Sequence, residues 1–174
     1  VRISERCGLT RRDVEIAALE AGVVPARYAR NMGTIGPEGQ LKLLRSRVLV
    51  AGAGGLGGAV VELLARVGTG NIVVVDRDSF EDDNLNRQLL CTENNLGRPK
   101  AAEAVKRAAE VNSSSVVEGV TAELAEENLG ELLAGAAVAV DCLDNFPARR
   151  MLEAACRRAG VPLVHGAIAG FVGQ

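Results

Sequence analysis

A doubly wound α/β fold with a mainly parallel sheet is the class this sequence predicts, and three observations predict it. Five short apolar runs, at 48–51, 72–75, 116–120, 137–140 and 161–164, have the length of strands. Between them, stretches at 56–67, 99–111, 125–133 and 147–159 carry apolar residues at helical spacing. The strand runs are nearly continuous in apolar residues, as expected when crossover helices bury both faces of a parallel sheet. With 174 residues, 48% hydrophobic and 24% charged, the chain is long enough for one domain with a real core and too short for two.

The elements follow in order. Thr10-Arg11-Arg12-Asp13 resembles a capping box with Asp in the usual Glu position, opening a helix that Gly22 can stop. A polar segment, 25–47, containing Arg27-Tyr28-Ala29-Arg30, leads into the first strand. The chain therefore divides into an N-terminal helical extension, 1–24, and the α/β domain itself, 25–174. Pro99 and Pro147 suit a helical first turn, where a missing N–H costs nothing, and Gly160 suits a helix C-terminus. The last residues, 166–174, read as the start of a further element.

Charge and composition exclude several classes of function. Lys and Arg total 20 against 22 Asp and Glu, so there is no basic footprint for nucleic acid, and a phosphate ligand has to be met locally. Aromatic residues are 2%, without Trp, which removes stacking platforms for single strands. No apolar run approaches the roughly 18 residues of a membrane span. Cys7, Cys91, Cys142 and Cys156 lack the two-residue spacing of zinc or thioredoxin-like motifs, and a reducing, cytoplasmic setting is expected. The single histidine, His165, has no nucleophile elbow or companion base and reads as structural. Cys142 and Cys156 read as small core residues, and Arg149-Arg150 with Arg157-Arg158 as a solvated helix face.

Four groups of residues carry the chemistry. Gly52-Ala53-Gly54-Gly55-Leu56-Gly57 follows the first strand and opens a helix, the context in which glycines let backbone N–H groups approach a phosphate. Alone, this loop leaves NAD, FAD and ATP open. Asp76 ends the second strand, where a carboxylate either meets ribose hydroxyls or caps the following turn. Arg87, and Lys100 in the first turn of a helix whose dipole disfavours a cation, would together offset a triphosphate. Asp144 and Asn145 end the fourth strand, where ligands of open α/β sheets bind. Asp144 suits Mg²⁺ on phosphates, and either residue suits a helix N-cap.

Taken together, these motifs resemble the MoeB/ThiF/HesA family, bacterial relatives of ubiquitin-activating E1 enzymes. The resemblance runs from Arg27-Tyr28-x-Arg30 through Gly36-x-Glu38-Gly39-Gln40, the glycine loop, Asn84-Leu85-Asn86-Arg87-Gln88, Gly97-x-Pro99-Lys100 and Asp141-x-x-Asp144-Asn145 to Gly173-Gln174. It implies a Rossmann-like, E1-type fold and an adenylyltransferase that uses ATP and Mg²⁺. That reaction activates the C-terminal glycine carboxylate of a ubiquitin-like or sulfur-carrier protein as an acyl-adenylate and releases pyrophosphate, as in thiamine or molybdopterin biosynthesis. It further implies that Gly52, Gly54, Gly55 and Gly57 hold the nucleotide, Asp76 the ribose, and Asn84, Arg87 and Lys100 the phosphates. Asp144 would hold the metal beside Asn145, and Arg30 would reach the neighbouring subunit's ATP across a homodimer. The family continues past residue 174, commonly with paired zinc-binding cysteines, so zinc is expected only in a part beyond this chain, which looks truncated after its nucleotide-binding half. An NAD(P)-dependent oxidoreductase and a non-catalytic nucleotide-binding module are the alternatives; the first leaves Arg87, Lys100 and Asp144 without duties.

Overall fold

The computed structural model describes residues 2–174. Five strands, β1 (Arg47–Ala51), β2 (Asn71–Val75), β3 (Val116–Val120), β4 (Val138–Asp141) and β5 (Leu163–His165), form one sheet in the order β3-β2-β1-β4-β5. All its pairings are parallel. The chain steps outward from β1 to β3 on one side and from β4 to β5 on the other, so strand order reverses between β1 and β4. This is the Rossmann-like arrangement that opens a crevice at the carboxyl ends of the strands.

Side-chain alternation along the strands builds two cores. Val48, Val50, Ile72 and Val74 face α4 (Gly55–Val67) and α5 (Lys100–Val111), meeting Val61, Ala65, Ala104 and Ala108. Leu49, Ala51, Val73 and Val75 face α6 (Glu126–Leu133) and α7 (Phe146–Ala159), meeting Leu129, Leu133, Leu152 and Cys156. Each Val or Leu buried this way contributes roughly 1.5–3 kcal/mol. Burial on both faces holds for β1 and β2 and fails at the sheet edges. In β3, Val116 and Glu118 are exposed, and in β5 Val164 and His165 are exposed, since an edge strand has a single sheet neighbour. The final residues form a small antiparallel hairpin, β6 (Ile168–Ala169) with β7 (Val172–Gly173).

At the opposite, amino-terminal rim lie α1 (Arg2–Cys7), α2 (Arg11–Glu20) and α3 (Gly36–Arg45). Thr10 caps α2, its hydroxyl accepting from the Asp13 N–H (3.1 Å) and donating to the Asp13 carboxylate (2.6 Å). Helix α3 is absent from the sequence expectation because Gly36, Pro37 and Gly39 have the chemistry of a loop. Pro37 instead occupies the first turn, and Leu44 joins Leu19 and Tyr28 in a third small core. Polar side chains tie this rim together. Gln40, fully buried, donates to the Val67 carbonyl (2.9 Å) and accepts from Asn31 (2.7 Å). Asn112 donates to Tyr28 (3.1 Å) and to the Ala65 carbonyl (2.9 Å), while its oxygen accepts from Arg27 and the Ser114 N–H. Burial pushes the Tyr28 phenol up to about 12. No described helix is long and apolar enough to cross a membrane.

Candidate nucleotide site

The glycine loop joins β1 to α4, and its glycines divide by what surrounds them. Gly52 has φ +93°, and a Cβ there would lie 2.7 Å from the Cys142 carbonyl oxygen. A Cβ at Gly57 would lie 1.8 Å from the Gly52 carbonyl oxygen. These two let α4 sit directly on the strand end and on the loop after β4. At Gly54 and Gly55 the nearest protein atoms to a Cβ are 3.8 and 3.6 Å away, so packing does not demand glycine there. Both line a cleft of ≈ 590 Å³, facing a volume that a small molecule can fill. Gly54 caps α4 without a side chain, so the first-turn N–H groups remain available to an anion.

Asp76 lines the same cleft at the end of β2. One carboxylate oxygen accepts from the Ala53 N–H (2.7 Å), bracing the glycine loop, and the other accepts from the Asp78 N–H (2.8 Å), closing the next turn. Turn-capping therefore coexists with a place in the cleft lining. Lys100 opens α5 and is 7% exposed, yet among the described residues its ammonium meets only Asp78, at 3.6 Å. A buried cation with one loose partner, at the helix end where the dipole opposes it, is an arrangement that an anionic guest completes. Arg87 also lines the cleft and is exposed, one of its nitrogens donating to the Asp83 carbonyl (2.6 Å) and to Asn86 (3.1 Å).

Asn84, Gly57 and Arg30 lie outside the cleft lining. The Asn84 amide is engaged within the 3-10 turn Asp82–Asn84, its oxygen accepting from the Glu81 N–H (3.2 Å) and its nitrogen donating to Asp83 (2.7 Å). Arg30 is exposed in the segment between α2 and α3. Sequence reasoning quoted Gln88 within a motif but gave it no role. Its side chain packs against Gly54, lines the cleft at 7% exposure, and keeps a buried carbonyl oxygen with no partner. A buried amide oxygen left open costs about 1–3 kcal/mol, a cost that a donor entering the cleft would remove.

The β4 end supplies the remaining wall. Asn145 is the N-cap of α7, its oxygen accepting from the Ala148 N–H (3.0 Å), and Asp144 is exposed, with a long contact from Asn145 at 3.4 Å as its one partner among the described residues. Both line the cleft. Arg149, read from the sequence as solvated, instead folds back: its guanidinium donates to the Leu143 carbonyl (2.9 Å from Nε), and it too lines the cleft. One turn into α7 it is within reach of the loop it follows, a relation that a charge pattern does not show. Asp141, 2% exposed, accepts from the Leu143 N–H (3.0 Å) and lies 2.8 Å from Nδ1 of His165. Burial pushes the Cys142 thiol up to about 11, so this cleft residue is no thiolate nucleophile. Across the cleft, beyond Val75, Arg77 pairs with Glu123 (2.7 Å) beside Ala122 and Leu124.

The chain is similar to a described family and to several characterised proteins. A protein-family model described as the ThiF family matches residues 28–174. The chain is 48% identical over 150 residues to the SAMP-activating enzyme E1 of Haloferax volcanii, covering 85% of this chain and 56% of that protein. It is 40% identical over 151 residues to the sulfur carrier protein ThiS adenylyltransferase of Bacillus subtilis, covering 84% and 45%. Among solved structures, E. coli tRNA N6-threonylcarbamoyladenosine dehydratase, TcdA, in complex with ATP superimposes with a TM-score of 0.80 at 28% identity, covering 84% of this chain and 61% of that one. The chain spans about half the length of the curated relatives it matches.

Proposed function

Since the chain belongs to the ThiF family, we propose that it carries the nucleotide-binding part of an ATP-dependent adenylyltransferase. Its second substrate is the C-terminal glycine carboxylate of a ubiquitin-like or sulfur-carrier protein, activated as an acyl-adenylate with release of pyrophosphate. The observation that carries this reading is a single cleft in which Lys100 and Arg87 share the space with Asp144 and the ligand-facing glycines Gly54 and Gly55. A dinucleotide needs the glycines and Asp76 but gives no work to the other three.

The residues act by position and charge. Asp76 accepts from ribose hydroxyls while still holding Ala53. The first-turn N–H groups of α4, with Arg87 and Lys100, take the phosphates and offset the charge that accumulates as the incoming carboxylate attacks the α-phosphate. Gln88 offers its open oxygen to a donor on the nucleotide. The carboxylate is itself the nucleophile, so no protein nucleophile is required, in keeping with a protonated Cys142. Asn84 is the remaining candidate for the phosphates: its amide nitrogen donates one hydrogen to Asp83 and has a second to offer.

Mg²⁺ fits the residues present. Asp144 offers a hard, exposed oxygen ligand whose single contact among the described residues is 3.4 Å long. No cluster of three metal-ligating side chains exists among the described residues, as suits an ion held mainly by phosphate oxygens and water. Bound there, it would neutralise phosphate charge. Arg30 is assigned to a neighbouring subunit's nucleotide in a homodimer, and the protein to the cytoplasm. The test is exchange of labelled pyrophosphate into ATP that depends on a carrier ending in Gly-Gly. Exchange with the carrier and none when its terminal glycine is deleted is expected. No exchange, with NADH bound more tightly than Mg-ATP, would overturn the assignment.

A further inference from the structure

The loop between β4 and α7 carries Asp144 and Asn145, and its conformation is held from several sides. The Cys142 N–H donates to the Ala51 carbonyl (2.9 Å), and the Cys142 carbonyl packs on Gly52. Leu143 is gripped at both ends: its N–H by Asp141 (3.0 Å), its carbonyl by two nitrogens of Arg149. The other Asp141 oxygen lies 2.8 Å from Nδ1 of His165, its register partner on the neighbouring strand, and 3.9 Å from Nε of Arg149. Two donors therefore stand near one buried oxygen, and the imidazole holds it at hydrogen-bond distance while the guanidinium stays on the Leu143 carbonyl.

A buried carboxylate oxygen does not remain open when its partner is removed, because the unmet bond costs more than a rearrangement of a nearby cation. Without His165, Arg149 would close the 3.9 Å gap, release the Leu143 carbonyl and free the loop that presents Asp144.

We propose that His165 is a positioning residue for the phosphate end of the cleft: it occupies Asp141, keeps Arg149 on the Leu143 carbonyl, and thereby fixes the loop bearing Asp144 and Asn145. This rests on the reading of the cleft as an ATP site. It assigns His165, together with Asp141 and Arg149, a role in metal-nucleotide binding without direct contact between His165 and the nucleotide.

The experiment is calorimetric titration of the protein and its variants with Mg-ATP and, separately, with AMP. His165→Ala is expected to weaken Mg-ATP binding about tenfold, the lower range for loss of a group that orients a ligand from behind. AMP affinity should change by less than about twofold, since the residue assigned to the ribose, Asp76, lies at the β2 end. His165→Asn, whose side-chain amide can donate to Asp141 as Nδ1–H does, should restore most of the Mg-ATP affinity. In an Arg149→Ala background His165→Ala should add nothing further. Equal losses for Mg-ATP and AMP would show a general structural defect and overturn the proposal, as would unchanged Mg-ATP binding by His165→Ala. Failure of the unsubstituted protein to bind Mg-ATP would instead remove the ATP-site reading itself.

Discussion

The two rims of the sheet are both rich in polar side chains, and they use them differently. At the amino-terminal rim, amides and guanidiniums close on protein atoms: Gln40 on Val67 and Asn31, Asn112 on four groups, Arg12 on the Gly70 carbonyl and Asn71, Arg47 on the Leu132 and Ala134 carbonyls. Among the described residues, the buried side-chain atoms there without a partner are neutral hydroxyls, Thr69, Ser114 and Ser115. At the carboxyl rim Asp76, Asp141 and Arg149 are engaged in the same way, but three groups keep capacity in hand among the described residues: the Lys100 ammonium with one partner at 3.6 Å, Asp144 with one at 3.4 Å, and the Gln88 oxygen with none. Saturated polarity holds a fold together, and unsaturated polarity in a cleft awaits a guest.

The largest effect expected from this contrast is at Lys100. Lys100→Met keeps the volume and removes the charge, and should lower pyrophosphate exchange by about 100-fold or more while unfolding free energy in urea moves by less than about 0.5 kcal/mol. A large loss of stability would break the distinction between the rims. The opposite pattern is expected for Asn112→Ala, which strips partners from Tyr28, the Ala65 carbonyl, Arg27 and the Ser114 N–H. It should cost about 2–3 kcal/mol in denaturant titrations and leave the nucleotide affinity of the folded protein unchanged.

The flank between α4 and α5 gives a sharper version through acid. The hydrogen bonds of Arg107, with those of Arg66, outweigh burial and hold the Glu62 carboxyl down at about 2, against an ordinary 4.5. A depressed carboxylate stabilises the fold fully above its unfolded value. The contribution of Glu62 is therefore intact above about pH 4.5 and disappears as pH falls toward about 2. Glu62→Gln should flatten that part of the stability profile measured by urea melts and leave Mg-ATP binding at neutral pH unaltered. Smallest of all is Glu123→Ala. Arg77 and Glu123 are both more than half exposed, and losing their pair should weaken nucleotide binding by less than about threefold.

Much of the fold was legible because strand burial and helix periodicity coincide with local punctuation. Thr10, Gly160 and the apolar runs at β1 and β2 mark their elements directly. Helix α3 was hidden by glycines and a proline that serve a helix start as readily as a loop, and the exposure of β3 and β5 depends on which strands end up at the edge. The site divides the same way. The glycine loop, Asp76, Lys100 and Asp144 follow their strands or open their helices in sequence, so their convergence follows from the rule that ligands bind at strand carboxyl ends. Gln88, Arg149 and His165 acquire meaning only through neighbours 34, 6 and 24 residues away, Gly54, Leu143 and Asp141, contacts that no local pattern encodes.

The division of labour within the glycine loop has a practical consequence. Beyond its chain neighbours and its own helix backbone, a methyl group added at Gly54 or Gly55 meets no protein atom closer than 3.6 Å, so its first obstacle is an occupant of the cleft. Under the proposed function, an alanine there is expected to separate docking of the carrier protein from the chemistry that follows it.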